Sequence, residues 1–176
     1  MSDGFIIRRG GSGGVDAFKV FVDRSITNVT EDMLDGLTSI PSDAFSNCTS
    51  LKSIEIPNSV TSIDSEAFKY CRSLASITIP NNVTSIGYHA FFGCDSLASV
   101  TIPNNVTNIG MQVFYSCDSL ASVTVEAAIP PTLGSNSFDY TSPNLVIYVP
   151  AESVDAYKAA NNWSNYASKI QAIPSE

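Results

Sequence analysis

Between Arg72 and Lys158 the sequence contains no lysine or arginine, although Asp95, Asp118, Glu126, Asp139, Glu152 and Asp155 all fall in that stretch. The 176-residue chain carries a formal charge of −8. It therefore has little cationic surface with which to neutralise phosphates, which argues against a nucleic-acid partner. No apolar run reaches the roughly 18 residues that a membrane-spanning helix needs, so membrane insertion is not expected. Histidine occurs once, at His89, with no nucleophile or orienting partner repeated near it. Cysteine occurs four times, never as Cys-x-x-Cys. The glycines at 10–14 match neither phosphate-binding fingerprint. No catalytic residue, metal or cofactor follows from these patterns, and the chain reads as non-enzymatic.

What the sequence does contain is a repeat. Four blocks align without a gap: AFSNCTSLKSIEIP from Ala44, AFKYCRSLASITIP from Ala67, AFFGCDSLASVTIP from Ala90 and VFYSCDSLASVTVE from Val113, at a period of 23 residues. Phe45, Phe68, Phe91 and Phe114 recur, as do Cys48, Cys71, Cys94 and Cys117, and Leu51, Leu74, Leu97 and Leu120. Within a block, Leu74, Ile77 and Ile79 have the alternation of a short strand with one face inward. Pro80 ends that strand by withholding a donor, and Val83 and Ile86 turn the chain back over the core. A single coil orders too much backbone for the few side chains it buries, so coils must stack and their ends must be capped.

The unit AFxxCxxLxSITIPNxVTSIG resembles the 23-residue leucine-rich repeats of BspA-like bacterial surface proteins, tightly over residues 38–129. The segment PPTLGSNSFDY, followed by LVIYVPAESVDAYKAANNWSNYASKI, is similar to the closing segment found after such repeats. The resemblance implies a right-handed repeat solenoid of short parallel strands, with an N-terminal strand cap and a C-terminal helical cap.

On this reading residues 1–14 are a flexible or docking segment, and 15–40 an N-terminal cap with a degenerate coil, in which Phe18, Val20 and Val22 alternate as a strand. Residues 41–129 form the repeats, and 130–176 the last coil and helical cap. In that cap Val154, Tyr157, Trp163, Tyr166 and Ile170 recur at helical spacing, interrupted at Asn161-Asn162, which suggests one broken helix or two short ones. In the start MSDGFIIRRGGSGG, arginines follow the apolar stretch and glycines follow the arginines, unlike a Sec or twin-arginine signal. If Met1 is the native start, the expectation is cytoplasmic synthesis without Sec export, for a destination at a cell surface or in a virion.

Candidate sites follow from the register. The four cysteines read as an inward column of small apolar groups, Asp95 and Asp118 as solvated turn residues, and His89 as an exposed surface position. The outward strand face carries Ser53 and Glu55, Ser76 and Thr78, Ser99 and Thr101, and Ser122 and Thr124. This polar ladder is either a ligand face or simply what an exposed sheet prefers. Aromatic and methionine residues cluster where the coils disagree, at Tyr70, Tyr88, Phe92, Met111 and Tyr115, with His89 among them. These are either an interface or an outer cover for the core.

BspA-like relatives are associated with attachment to host proteins. The resemblance therefore implies an adhesion or recognition module for a protein or glycan on a host or partner surface. The alternative is a structural or receptor-binding component of a phage tail or tail-like particle, docked to its assembly partner through residues 1–14.

Overall fold

The structure, a computed structural model, describes residues 5–8 and 19–175, with side chains from Val22 onward. β1 (Phe5–Arg8) pairs antiparallel with β2 (Lys19–Val22). Part of the expected flexible or docking segment is thus one arm of a hairpin. Phe18 and the glycines at 10–14 lie outside the described residues.

The first coil contains β3 (Asn28–Val29), a 3-10 turn at Glu31–Leu34 and β4 (Ser39–Ile40). Each following coil contributes two strands: β5 (Ser53–Ile54) and β6 (Ser62–Ile63), β7 (Ser76–Thr78) and β8 (Ser85–Ile86), β9 (Ser99–Ile102) and β10 (Asn108–Ile109), β11 (Ser122–Val125) and β12 (Thr132–Leu133). Then come β13 (Val146–Val149), helix α1 (Val154–Ala159), a 3-10 segment at Trp163–Lys169 and β14 (Ile170–Ala172).

Pairing between coils is parallel. One five-stranded sheet has the order β7-β9-β11-β13-β14, and a second the order β4-β6-β8-β10-β12. β5 pairs with β3 instead of β7, so the first face is divided at that point. The second sheet is not anticipated by the sequence. Ile86 and Val83 are buried as expected, but Ile86 also belongs to a strand only two residues long, too short to show an alternation.

The repeat rules follow from what each position faces. In one coil Leu74, Ile77 and Ile79 are buried while Ser76 and Thr78 are exposed. The inward phenylalanines stack ring on ring, with centroid separations from 5.2 to 5.6 Å, in a column from Phe45 to Phe138. Around each of them runs a third hydrogen-bond ladder. Glu66, Phe68 and Tyr70 donate their backbone N–H to the carbonyls of Tyr88, Ala90 and Phe92 at 2.8, 2.8 and 2.7 Å. The first and last of the three are left-handed, with φ of 58° and 59°.

All four cysteines are buried free thiols. Cys71, Cys94 and Cys117 donate to the carbonyls of Phe45, Phe68 and Phe91 at 3.1, 3.2 and 3.2 Å, so the thiol column also ties coil to coil. Cys48 begins the column and accepts from Arg24 Nη1 at 3.8 Å instead.

The C-terminal segment forms two short helical pieces separated at Asn161-Asn162, as the periodicity predicts, and adds a closing strand, β14, that it does not predict. Its side chains serve the backbone of the last coil. Tyr157 Oη, Trp163 Nε1 and Asn162 Nδ2 donate to the carbonyls of Ala127, Pro131 and Leu133 at 2.7, 2.7 and 2.6 Å. For these three carbonyls the cap side chains take the place of a next coil.

Burial pushes the Cys71 and Cys94 thiols well up and the Cys117 thiol up to about 12. The unfolded chain releases these protons first, at about pH 8.5. The thiols' contribution to stability is therefore complete below that pH and is lost as pH rises toward the folded values, by about 1.4 kcal/mol per thiol per pH unit. Urea midpoints measured in reductant should fall between about pH 7.5 and about pH 9.5, and fall less in a Cys94→Ala/Cys117→Ala variant. Equal slopes for the two proteins would remove the thiols from the account.

Candidate functional site

Two surfaces are built by the repeat. On the strand face the register brings Ser76, Ser99 and Ser122 into one row, and Thr78, Thr101 and Thr124 into the next. The second row continues through Tyr148 to Gln171. Ser53 lies on the separate strand β5, where its hydroxyl donates to Asn28 Oδ1 at 2.8 Å; Glu55 follows it and is exposed. A groove of about 240 Å³ runs over Ser76, Thr78, Ser99 and Thr101 and is bordered by Asn81 and Glu126. Hydroxyls and a single carboxylate, Glu126, make this groove an acceptor-rich, weakly acidic surface.

The other surface lies on the turns around the inward phenylalanines. Phe92 and Tyr115 stack at 5.0 Å and 10°. Tyr70 meets the Phe92 ring edge-on at 5.4 Å, and Tyr115 meets Tyr140 at 4.9 Å. Lys69 Nζ sits 5.7 and 5.8 Å from the Tyr70 and Phe92 ring centres, and Arg72 lies 5.6 Å from Tyr70. Lys69 also donates to Glu66 Oε2 at 2.8 Å, and that bond holds its ammonium above the usual lysine range. Arg72 faces Asp95 at 3.6 Å, so Asp95 is ion-paired, whereas Asp118 is exposed.

His89 is not the exposed residue that the sequence suggests; only 8% of it is accessible. Its left-handed backbone (φ 55°) folds the ring under Tyr88, at 3.5 Å, and against Phe92, at 4.7 Å. The local sequence Gly-Tyr-His looks like a polar turn, and nothing in it signals that two neighbouring rings close over the imidazole. Nε2 lies 2.6 Å from Gln112 Oε1, while Nδ1 is buried without a hydrogen bond, 3.9 Å from Glu66 Oε1.

Tyr70, Tyr88, His89, Phe92 and Tyr115 thus form one connected cluster. Met111, 42% exposed, takes the place of Tyr88 one coil further on. Tyr140, 69% exposed, is a member that the sequence reading misses. Its signal was available: it stands two residues after Phe138, as Tyr70 stands two after Phe68. Among the described residues no group of three or more His, Cys, Asp or Glu is placed to hold a metal ion. No helix among them is long and apolar enough to cross a membrane.

Residues 17–152 match the BspA type leucine rich repeat region, in six copies. The chain belongs to this family. The repeat therefore reaches further toward both ends than the four aligned blocks, taking in the degenerate first coil and the coil closed by the cap. Among solved structures, a leucine rich repeat protein from T. pallidum is 25% identical with a TM-score of 0.53, over 85% of this chain and 81% of that one. A leucine-rich repeat protein from Bacteroides ovatus ATCC 8483 is 34% identical with a TM-score of 0.57, over 73% of this chain but only 32% of its own length. No curated protein sequence matches the chain. A BspA-type repeat region is a scaffold of the protein-interaction kind, and the candidate surfaces are read in that light.

Gly93 gives this surface a test. It has φ of +67°, and a Cβ there would stand 2.6 Å from Tyr70 Cδ1. Gly93→Ala should lower stability by about 1–2 kcal/mol from the left-handed backbone alone. It should also alter the near-ultraviolet circular dichroism as Tyr70 leaves Phe92; an unchanged spectrum would show that the ring contact tolerates the methyl group.

Proposed function

We propose that this chain is a non-enzymatic recognition module that binds a partner protein through the aromatic cluster on its turn surface. The observation that carries this reading is the unbroken run of ring contacts Tyr88–His89–Phe92–Tyr115–Tyr140, with Tyr88, Met111 and Tyr140 exposed. Coil stacking requires the inward phenylalanines; it does not require large rings on the outer side, where Ser46 and Asn47 occupy the corresponding positions of an earlier coil. Rings already packed on one another present area at little entropic cost, as interface anchors do.

The ring geometry favours a protein over a glycan. Phe92 and Tyr115 lie face to face, Tyr70 and His89 also pack on Phe92, and Tyr140 packs on Tyr115, so neither of these two rings offers an open platform on which a sugar would stack. Adhesion at a bacterial surface is the setting in keeping with the family. The tail-particle alternative rests on residues 1–14, of which only Phe5–Arg8 is among the described residues.

Binding of the full chain to a panel of purified extracellular proteins and to a glycan array tests the reading. A protein hit should weaken by about tenfold or more in the Tyr88→Ala/Phe92→Ala/Tyr115→Ala variant and by less than about twofold in Ser99→Ala/Thr101→Ala. The reverse pattern would move recognition to the strand face, and glycan-only binding would replace the partner class.

A further inference from the structure

One stretch of the last coil breaks the repeat in a way the aromatic surface does not explain. From the strand register, Val125 pairs with Ile102 and Thr132 with Asn108, so the connection in this coil holds one residue more than the one before it. Counting forward from the strand, Ile129 stands where Val83 and Val106 stand in earlier coils. Those two valines are buried, but Ile129 is 82% exposed.

The loop that displays it is not loose. Tyr157 Oη and Ser153 Oγ donate to the carbonyls of Ala127 and Ala128, and Trp163 Nε1 to that of Pro131, each at 2.7 Å. Pro130 further restricts the backbone of Ile129 to extended conformations. An exposed isoleucine held rigidly from three sides is preorganised for contact.

The same change opens a groove of about 560 Å³ beside Ile129, over Asn104, Val106, Thr107, Ala127 and Pro131, with no charged residue in its lining. In earlier coils an asparagine ladder crosses this edge: Asn82 Nδ2 donates to the Asn58 carbonyl and Asn105 Nδ2 to the Asn81 carbonyl, both at 2.7 Å. The next rung would come from Ala128, whose side chain has no donor, so the ladder stops at Asn104 on the groove wall. Two exposed carboxylates stand next in the chain to this loop and its anchor: Glu126, which also borders the strand-face groove, precedes Ala127, and Glu152 precedes Ser153.

We propose that this groove is a second docking site, for an extended segment of a partner protein in which apolar residues are flanked by lysine or arginine. The apolar residues pack on Ile129, Val106 and Pro131, a backbone N–H meets the Asn104 carbonyl, and the flanking cations meet Glu126 and Glu152. These neighbouring acids, in a stretch with no lysine or arginine between Arg72 and Lys158, select such a segment over a neutral or acidic one, and over a second copy of this acidic chain.

Short fluorescent peptides with a common apolar centre and basic, serine or acidic flanks, titrated against the full chain, test the site by anisotropy. Basic-flanked peptides should bind tightest, more weakly as salt rises, and about tenfold or more weaker in Ile129→Asp. Glu126→Gln/Glu152→Gln should bring them to the level of the serine-flanked series. Ile129→Ser, at an exposed position, should give the same loss with an unchanged thermal midpoint. Absence of a basic preference, binding that survives Ile129→Asp, or self-association through Ile129 in sedimentation would overturn the proposal. Loss of peptide binding in the Tyr88/Phe92/Tyr115 variant but not in Ile129→Asp would likewise overturn it, assigning the peptide to the aromatic surface.

Discussion

Adjacent coils are hydrogen-bonded at one strand spacing, about 4.8 Å, and every side chain therefore stands that far from its counterpart in the next coil. Only groups that tolerate a copy of themselves at this distance can recur. Phenylalanine does so by stacking nearly parallel, with interplanar angles from 2° to 7° and ring separations of 5.2 to 5.6 Å. Cysteine does so because the Cys71, Cys94 and Cys117 thiols each reach the carbonyl of the phenylalanine one coil earlier. Serine and threonine hydroxyls are small and neutral enough for the outward rows. Columns of equal charge would repel, and two of the cations sit against acids, Lys69 against Glu66 and Arg72 against Asp95. The same constraint separates like residues along a line and keeps repeated groups from converging on one point.

The turn surface obeys a second constraint. Left-handed backbone recurs two residues before and two residues after each inward phenylalanine, at Glu66 and Tyr70 and at His89 and Gly93. Residues other than glycine accept this because each of those N–H groups is tied to a carbonyl in the next coil. The conformation also decides where side chains go. It turns Tyr70 edge-on to Phe92 and places His89 between two rings, so a backbone requirement of stacking builds the aromatic cluster.

Much of the fold is legible in the sequence because it is periodic. Phe68, Cys71, Leu74 and Ile77 declare the inward face by recurrence, and Tyr157, Trp163 and Tyr166 declare the helical cap by a change of period. What is missed lacks a period. Strand β8 is two residues long, and β14 is paired only through the folded cap. His89 is buried between two rings of its own turn and Gln112 of the next coil, which no periodic pattern reveals. Ile129 looks like an ordinary core aliphatic until the register shows that one added residue turned it outward. The site is thus least readable where coils depart from one another, which is also where a scaffold of identical coils acquires individuality.

The cap closes the solenoid with side chains that imitate backbone: a tyrosine, a tryptophan and an asparagine fill the hydrogen-bonding role of an absent coil. All three address only the final coil, and nothing in the cap refers to how many coils precede it. Length is consequently a free variable of the architecture. Whole rows of the strand and turn surfaces can be gained or lost between the first coil and the last while both ends stay intact, so the length of the solenoid changes in steps of one strand spacing without redesign of its closure.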